Sequence, residues 1–371
     1  MTKGLQCKVI CMERLAQNNQ IGQDLIDLAS QYLPDNIHLS AQTSVESLQG
    51  DAGFRCYYRI TSQPSVLGVS APPEQEDWVS FMRVSSLLGS LGVKVPTIYA
   101  ADLQSGKLII EDLGDSLYQD AMGDARSAGD ADQLYQGAIQ SLHKIVSCKE
   151  RPPWFPRYTA GLIRQEMELF PFWFVKKLLG YSIDAAESRL INSCFSYLAG
   201  SATEQPQVLV HRDYHCRNLL KLDSDEPGVI DFQDAVWGPI TYDLVSLSRD
   251  CYLRWEPLRV NRVRDSFAEK LFKDGLISEQ GREKFPSWFE TMSAQRHLKV
   301  IGIFARLALR DDKAAYLESI PLALRYLLET CEAETELQEF GDWIQSKLLP
   351  HIEQQRWYSN WRKAGSEVTV W

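Results

Sequence analysis

The fold of this chain is decided by the stretch Val208-Leu209-Val210-His211-Arg212-Asp213-Tyr214-His215-Cys216-Arg217-Asn218, followed by Val229-Ile230-Asp231-Phe232-Gln233-Asp234. An apolar strand leads into a polar loop, and a second short apolar run ends at Asp231 after the turn-forming residues 223–228. In a loop of the form H-R-D-x-x-x-x-N, the Asp accepts the proton of an attacking hydroxyl and the Asn holds magnesium, while a second Asp follows nearby. The spacing predicts phosphoryl transfer.

Three side chains carry the predicted chemistry. We predict Asp213 as the catalytic base, and Asn218 and Asp231 as the ligands of magnesium. The alternative is a loop whose polar side chains bond only their own backbone, and the ordered succession of strand, loop and hairpin disfavours it. His211 is predicted to brace the loop from within, without a part in the chemistry.

Further motifs begin at Asp231. The chain reads Asp-Phe-Gln-Asp-Ala at 231–235, then Gly238-Pro239 and Tyr242-Asp243-Leu244. With these motifs it resembles the aminoglycoside phosphotransferase and choline kinase group of small-molecule kinases. It is more closely similar to the bacterial anomeric N-acetylmuramate/N-acetylglucosamine kinases of cell-wall recycling in Gly50-Asp51-Ala52-Gly53-Phe54-Arg55, 71–77 and 302–307. The similarity covers roughly residues 45–360.

The resemblance implies an α+β, protein-kinase-like bilobal fold, with an antiparallel sheet in a small N-terminal lobe and a larger, mainly helical C-terminal lobe. It implies ATP as phosphate donor, Mg²⁺ as cofactor and a sugar hydroxyl as acceptor, the anomeric hydroxyl of N-acetylmuramate, N-acetylglucosamine or both. Asp243, on a predicted helix over 240–248, would brace the catalytic loop. We expect a nucleotide-binding lobe at 1–112, with 1–20 as an extension, and a catalytic and substrate-binding lobe at 113–371.

The N-terminal part carries the predicted nucleotide site. Its pattern predicts a helix over 22–33, a hairpin of strands 54–60 and 66–69, a helix over 74–89, and strands at 98–100 and 107–110. A glycine-containing loop ahead of the hairpin would approach the phosphates, Glu76 would form an ion pair, and a hinge after the last strand would bind adenine through its backbone. The predicted nucleotide-binding residues are Gly50, Asp51, Gly53, Phe54, Arg55, Glu76, Glu111 and Leu113.

One expected residue is missing. Protein kinases use a lysine on the third strand to hold phosphates and to pair with a glutamate. Here no lysine occurs between Gln49 and Gly92, and the expected strand reads Val66-Leu67-Gly68-Val69-Ser70. We expect Arg55, Arg59 or Arg83, or the magnesium ions, to supply the positive charge instead.

Helical patterns dominate the C-terminal part, at 130–147, 159–179 and 183–198. Their dense aromatic residues are predicted to form core. Beyond residue 237, five side chains offer donors or a stacking face to a substrate: Arg249, Arg254, Trp255, Arg306 and Arg310.

Composition limits the possible partners. The 371 residues carry 39 Lys plus Arg against 49 Asp plus Glu, a net charge of −10, which disfavours nucleic acid and anionic membranes. No signal peptide or membrane span is predicted, and the 8 scattered cysteines are expected to be reduced core residues in a soluble, cytoplasmic protein. The sequence predicts no oligomeric state.

Two alternative functions stay open at this stage. The acceptor of the kinase reaction would be an aminoglycoside, choline or homoserine if acidic residues clustered near the pocket, and the nearby arginines disfavour such cationic acceptors. A nucleotide-binding pseudokinase scaffold is the other alternative. Intact Asp213, Asn218 and Asp231 argue against it.

Overall fold

The computed structural model describes residues 20–48, 55–124, 128–366 and 369–370. These residues fall into two compact units. The first runs to Asp115 and also takes in Gly228–Gln233, whereas the second comprises Ser116–Pro227 and the chain from Asp234 onwards. The segment around Asp231 thus joins the first unit, far along the chain from the rest of it.

A five-stranded antiparallel sheet forms the centre of the first unit. Its spatial order is β1-β2-β3-β5-β4. The strands are β1 (Val45–Leu48), β2 (Cys56–Ile60), β3 (Val66–Ser70), β4 (Ile98–Asp102) and β5 (Lys107–Glu111). The predicted hairpin is present as β2 and β3, and the two later predicted strands are β4 and β5. Residue 54, where the hairpin was predicted to begin, lies outside the described residues.

Helix α1 (20–32) covers one face of this sheet. Its fully buried Leu25 and Ala29 pack with Ile60 and Ile109 of the strands. Gly68 permits this approach, because a Cβ there would lie 2.7 Å from Leu25 Cδ1. Helix α2 (Trp78–Ser90) follows β3 and buries Trp78, Phe81 and Leu88 among other residues.

The predicted start of α2 at residue 74 is wrong. Asp77 is the N-cap, and its carboxylate accepts the backbone N–H and the hydroxyl of Ser80. The residues after Pro72 form a turn, in which Gln75 N–H donates to the Pro72 carbonyl. Glu76 therefore precedes the helix and does not lie on it.

The second unit is mainly helical. Its helices are α3 (Tyr118–Gly123), α4 (Ala128–Val146), α5 (Ala160–Met167), α6 (Ala185–Glu204), α7 (Tyr242–Ser248), α8 (Pro257–Lys273), α9 (Glu279–Arg310), α10 (Ile320–Ala333), α11 (Gln338–Trp343) and α12 (Leu349–Ile352). Its short strands are β6 (Gln207–Val210), β7 (Leu219–Leu220), β9 (Val236–Pro239), β10 (Arg254–Trp255) and β11 (Thr369–Val370), while β8 (Gly228–Val229) belongs to the first unit. β6 pairs with β9, and β10 with β11. The antiparallel sheet of the first unit and the mainly helical second unit confirm the predicted α+β fold class.

The predicted helix over 159–179 is divided into α5 and a π-helical segment, Phe170–Leu178. Pro171 explains the change, because it has no N–H to donate to the carbonyl four residues earlier. Phe170 and Phe174 are fully buried, as the prediction of an aromatic core requires, whereas Trp154 and Phe172 are exposed.

Helix α9 runs through the core of the second unit and packs on α6, α10 and the π-helical segment. From Thr291 to Gly302 every residue of α9 is buried, and several of these residues are charged or polar. Among the residues that the structure describes, no helix is both long and apolar enough to span a membrane.

Candidate active site

The loop between β6 and β7 carries the predicted base. Arg212 has a left-handed φ of 79°, which turns the chain sharply just before Asp213. The Asp213 carbonyl then accepts the backbone N–H of His215 at 3.1 Å and the side-chain amide of Asn218 at 2.9 Å. The predicted base and the predicted metal ligand Asn218 are therefore held together by the fold of the loop itself.

Two buried carboxylates hold this loop from α7 and the residues after it. Asp243 accepts the backbone N–H groups of His211 and Arg212, and Asp250 accepts that of Cys216 at 3.0 Å. Burial raises the pKa of Asp243 to about 7, although both N–H donors act in the other direction. His211 is buried, and its Nδ1 lies 3.3 Å from the Asp213 backbone nitrogen. The sequence motifs indicated Asp243 but not Asp250.

Positive charges surround Asp213. Burial of this carboxyl group raises its pKa, but Lys299, His215 and Arg296, followed by Arg212, outweigh that effect and lower the pKa to about 2. The group is therefore ionised throughout the physiological range. Lys299 and Arg296 come from α9, about 85 residues downstream, and the sequence analysis did not identify either as a site residue.

A buried polar network connects these cations with the loop. Glu166 on α5 forms ion pairs with Arg212 and, at 3.3 Å, with Lys299, and it accepts a hydrogen bond from Tyr158. Lys299 also donates to the Tyr242 hydroxyl at 3.0 Å. Burial raises the pKa of Glu166, but Lys299 and Arg212 lower it below its ordinary value. In the sequence, Glu166 and Lys299 stood out only as charged residues within otherwise apolar helical patterns.

Asp231 lies in the first unit, with a left-handed φ of 64° and a half-exposed side chain. Gln233 Nε2 donates to its Oδ1 at 2.9 Å, and Arg55 Nη2 lies 3.6 Å from the same oxygen. The next residue, Phe232, stacks on Phe81 of α2 with ring centroids 5.0 Å apart. The Val229 N–H donates to the Lys94 carbonyl at 2.8 Å, which ties the segment to the sheet side of this unit.

Arg55 connects this segment with the residues before α2. Its Nε lies 3.3 Å from Glu76 Oε1, and its guanidinium lies over the Phe81 ring at 5.6 Å. Arg55 therefore lies between two carboxylates, one of which, Glu76, is the predicted ion-pair residue. Arg59, in contrast, is engaged by Asp112 and Asp115, and Arg83 is exposed on α2.

The predicted hinge lies at the end of β5. The Glu111 side chain accepts hydrogen bonds from Lys94 and Thr97, so its carboxylate is engaged within the protein. Burial raises the pKa of Glu111, but these bonds lower it below its ordinary value. Leu113 follows the strand and, within the described ranges, makes no backbone hydrogen bond.

Four predicted nucleotide-binding residues, Gly50, Asp51, Gly53 and Phe54, lie outside the described residues. The predicted metal ligands fit magnesium by their chemistry, because Mg²⁺ takes oxygen ligands and is commonly held by one or two protein side chains together with phosphates. Within the described part of the chain, no cluster of three or more His, Cys, Asp or Glu residues offers another metal site.

Four of the five predicted substrate residues have protein partners. Exposed Arg310 pairs with the neighbouring Asp311. Arg249 forms a bidentate pair with Glu290 at 2.6 Å for each bond, and Arg254 pairs in the same way with Glu329. Trp255 is 2% exposed and packs on Tyr135, so it presents no stacking face to solvent. Arg306 differs from them. It is half-buried, and its Nε is buried without a hydrogen-bond partner among the described residues.

Comparison with known proteins agrees with this arrangement. The model of the phosphotransferase enzyme family matches residues 44–279, a range that contains the predicted catalytic loop, Arg55 and Asp231. The chain belongs to this family. Two N-acetylmuramate/N-acetylglucosamine kinases are similar to this phosphotransferase: that of Pseudomonas aeruginosa is 38% identical over 80% of the chain and 86% of its own length, and that of Pseudomonas putida 39% identical over 81% and 87%.

The fold of this phosphotransferase also matches a solved structure, choline kinase from Cryptosporidium parvum Iowa II. The TM-score is 0.56 at 13% identity, with 90% of this chain and 99% of that chain covered. These findings confirm the predicted family and the protein-kinase-like fold. As a member of a kinase family, the protein is a phosphotransferase with an alcohol group as acceptor.

Proposed function

We propose that this phosphotransferase is an ATP-dependent kinase of the anomeric hydroxyl of N-acetylmuramate, N-acetylglucosamine or both, as in peptidoglycan recycling. The observation that carries the proposal is the charge around Asp213. Lys299, Arg296 and Arg212 make this environment cationic, which suits a neutral or anionic acceptor and opposes amine-bearing ones such as choline, homoserine or aminoglycosides. The similarity to two N-acetylmuramate/N-acetylglucosamine kinases supports the same acceptor.

In this proposal Asp213 orients the acceptor hydroxyl and receives its proton as the hydroxyl attacks the γ-phosphate. A carboxylate with a pKa of about 2 is a weak base, so proton transfer would come late in the reaction. An anomeric hydroxyl is more acidic than an ordinary alcohol and suits such a base. Asn218 and Asp231 would hold Mg²⁺, which when bound neutralises charge on the phosphates. Positioning and electrostatics supply most of the rate acceleration.

Arg55 takes the place of the missing lysine in the proposed nucleotide site. Its ion pair with Glu76 supports this assignment, because a guanidinium fixed by a carboxylate can bind phosphate oxygens bidentately. Gly50, Asp51, Gly53 and Phe54 would cover the phosphates. The adenine would bind to backbone groups at Glu111 and Leu113, with the N-terminal lobe ending near residue 112.

In the proposed acceptor site we retain Arg306, whose Nε has no hydrogen-bond partner among the described residues. For Arg249, Arg254 and Trp255 we propose structural roles, because their polar groups or rings are already engaged within the protein. Asp243 and His211 keep their role as braces of the loop.

The experiment is a coupled ADP-release assay with Mg²⁺ and ATP against N-acetylmuramate, N-acetylglucosamine, choline, homoserine and kanamycin, with Asp213→Asn as the inactive control. We expect turnover with one or both sugars only, and ³¹P NMR of the product should show phosphate on C1. Turnover with choline, homoserine or kanamycin, and with neither sugar, would show that the acceptor is one of these amines. Stabilisation by ATP without turnover of any acceptor would favour the pseudokinase scaffold.

A further inference from the structure

Arg217 lies in the loop between the proposed base, Asp213, and the proposed metal ligand, Asn218. It is half-buried, and its Nε donates to the side-chain oxygen of Gln119 on α3 at 2.7 Å. Its guanidinium carbon lies 3.6 Å from the centre of the Tyr252 ring, a close cation–π contact. The hydrogen bond and the ring together hold the guanidinium in one position beside the loop.

Tyr252 is itself tied to the catalytic loop. One oxygen of Asp250 accepts the backbone N–H of Cys216 in the loop at 3.0 Å, and the other accepts the N–H of Tyr252 at 2.9 Å. His215 of the loop also stands edge-on to the Tyr252 ring, with ring centroids 5.5 Å apart. All of these residues belong to the second unit. The support of the guanidinium is therefore fixed to the loop that carries the proposed base.

The two terminal amino groups of Arg217 are not used by the protein. Within the described ranges, neither Nη1 nor Nη2 donates a hydrogen bond, and the guanidinium has no ion pair with a carboxylate. Neither atom is among the buried nitrogens that lack a partner there, so both reach solvent. Two other half-buried arginines, Arg212 and Arg249, have carboxylate partners in Glu166 and Glu290. Arg217 instead presents a fixed pair of donors to solvent.

Such a guanidinium favours an anion with two adjacent oxygens, because both terminal groups can then donate at once. A neutral hydroxyl would leave the charge uncompensated, whereas a carboxylate cancels it. The position of Arg217 favours an anion on the acceptor. Its support, Tyr252, follows α7, in the part of the chain after residue 237 where the acceptor is expected to bind, whereas Arg55, proposed to bind the phosphates of ATP, belongs to the first unit.

We propose that Arg217 binds the carboxylate of the acceptor, which in N-acetylmuramate is the lactyl carboxylate, and that Tyr252 positions the guanidinium for this contact. The role of Arg217 rests on the proposed function and concerns the part of the substrate that distinguishes the two sugars. N-acetylglucosamine has no such carboxylate, so Arg217 favours N-acetylmuramate. Arg217 is a specificity residue, Tyr252 is a positioning residue, and Asp213 remains the base.

The deciding measurement is the ratio of kcat/KM for N-acetylmuramate to kcat/KM for its lactyl carboxamide, which has nearly the same shape but no charge. A general disturbance of the loop lowers both values and leaves the ratio unchanged. We expect wild type to prefer the acid about 10- to 100-fold, the effect of a hydrogen-bonded charge pair. Arg217→Gln should bring the ratio to within about threefold of unity. A variant that kept the wild-type ratio would overturn the proposal.

Arg362 offers a matched control. It also lies over an aromatic ring, that of Trp361 at 4.3 Å, also donates to a glutamine, Gln345, and has no ion pair in the part of the chain that the structure describes. Arg362→Gln should keep the wild-type ratio. Arg306→Gln tests the other half-buried arginine of the proposed acceptor site. A loss of the ratio there, with none in Arg217→Gln, would assign the carboxylate to Arg306 and overturn the proposal.

The same assays show whether ATP supplies the anion instead. The KM for ATP should change by less than about threefold in Arg217→Gln, because the contact is to the acceptor. A rise of about 10-fold or more in this KM, with the acid-to-carboxamide ratio unchanged, would identify a phosphate of the nucleotide as the ligand of Arg217. That result would overturn the assignment to the acceptor.

Three further variants separate binding from packing. Arg217→Lys keeps the charge without the fork, so the ratio should fall about 3- to 10-fold, and this variant decides the matter if Arg217→Gln does not fold. Tyr252→Phe keeps the ring and should keep the ratio, whereas Tyr252→Leu removes the ring under the guanidinium and should lower it. An unchanged ratio in both Arg217→Lys and Tyr252→Leu would mean that the two side chains only pack on each other, and would sink the idea.

Failure of the proposed function has a different signature. Wild type would then turn over neither sugar, and the role of Arg217 would fall with it. If wild type phosphorylated the sugars but used the acid and the carboxamide of N-acetylmuramate equally well, the proposed function would stand. Only the carboxylate contact of Arg217 would then be wrong.

Discussion

The carboxylate of Asp243 accepts hydrogen bonds from two consecutive backbone N–H groups, that of His211 at 2.6 Å and that of Arg212 at 2.9 Å. These donors lie immediately before Asp213, at the point where the chain takes the left-handed φ of Arg212. Asp243 therefore fixes the backbone that aims the proposed base. Because the carboxylate is 2% exposed, water cannot take its place.

Replacing Asp243 should destabilise the protein and slow catalysis. Asp243→Ala leaves two buried N–H groups without acceptors, so we expect a loss of about 2–4 kcal/mol in unfolding free energy and a large fall in kcat. Asp243→Asn keeps one oxygen and should cost about half as much. Urea unfolding and initial rates of ADP release measure both effects. Equal losses in the two variants would contradict this account of the contact.

Removal of the base should act on the rate and spare the fold. Asp213→Asn keeps the shape of the side chain, and we expect kcat to fall about 10²- to 10⁴-fold, the usual contribution of a general base. Stabilisation by Mg²⁺ and ATP in a thermal shift assay should persist, since Asp213 is not among the proposed nucleotide or metal residues. A variant that retained more than about a tenth of the wild-type kcat would remove Asp213 from its proposed role.

Arg55 should control the affinity for ATP. Arg55→Gln is expected to raise the KM for ATP about 10- to 100-fold, whereas Arg55→Lys keeps the charge and should give a smaller rise. Arg83→Gln is the matched control, because it removes an exposed arginine of α2 and should leave this KM unchanged. The KM for the sugar should not respond to any of the three changes. If Arg83→Gln had the larger effect, Arg83 and not Arg55 would supply the missing positive charge.

Motifs and periodicity predicted much of the fold and part of the site from sequence. The loop around Asp213 was recognisable because its residues are close in sequence and their spacing is dictated by the chemistry. Strand and helix periods likewise indicated β2, β3 and most of α2. The start of α2 was misplaced because a capping carboxylate, that of Asp77, outweighs the helical propensity of Glu74 to Glu76.

The cationic surroundings of Asp213 were beyond sequence reasoning. Lys299 and Arg296 lie within a helix whose apolar and charged residues are not segregated, and only tertiary packing buries both of them beside the loop. Glu166 is similar, because its partners Arg212 and Lys299 are 46 and 133 positions away. Arginines beyond residue 237 were expected at the substrate site, but Arg249 and Arg254, which the pattern favoured, are paired within the fold.

His297 should make stability depend on pH. Burial, reinforced by the charge of Arg296, lowers its pKa from 6.5 to about 3. The unfolded chain therefore binds a proton below about pH 6.5 that the folded protein does not, so stability is lost as pH falls. From pH 7.5 to 5.5 this group should cost about 1.4 kcal/mol, the equivalent of one pKa unit.

Urea unfolding at pH 7.5 and 5.5 measures this effect. Between these two pH values, the free energy of unfolding of His297→Gln should decrease by about 1.4 kcal/mol less than that of wild type. His38→Gln, at an exposed position, controls for the loss of a histidine as such. An unchanged decrease in His297→Gln would mean that other groups govern the acid response.

Gly302 should be intolerant of even one methyl group. A Cβ at this position would lie 2.5 Å from the Leu169 carbonyl carbon and 2.6 Å from the Phe170 nitrogen, where α9 crosses the start of the π-helical segment. Backbone atoms cannot move aside as a side-chain tip can, so Gly302→Ala should lose about 1–3 kcal/mol of stability. Gly89→Ala is the matched control: the glycine lies in α2 with nothing within 4 Å of its Cβ position, and the change should stabilise by about 0.5–1 kcal/mol.

Thermal unfolding of the two variants tests the prediction through opposite shifts of Tm. Gly302→Ala should also reduce kcat, because α9 carries Lys299 while α5, just before Leu169, carries its ion-pair partner Glu166. Displacing one helix relative to the other would alter the electrostatic environment of Asp213. If Gly302→Ala were as stable and as active as Gly89→Ala, close packing of α9 on Leu169 would not be what positions these charges.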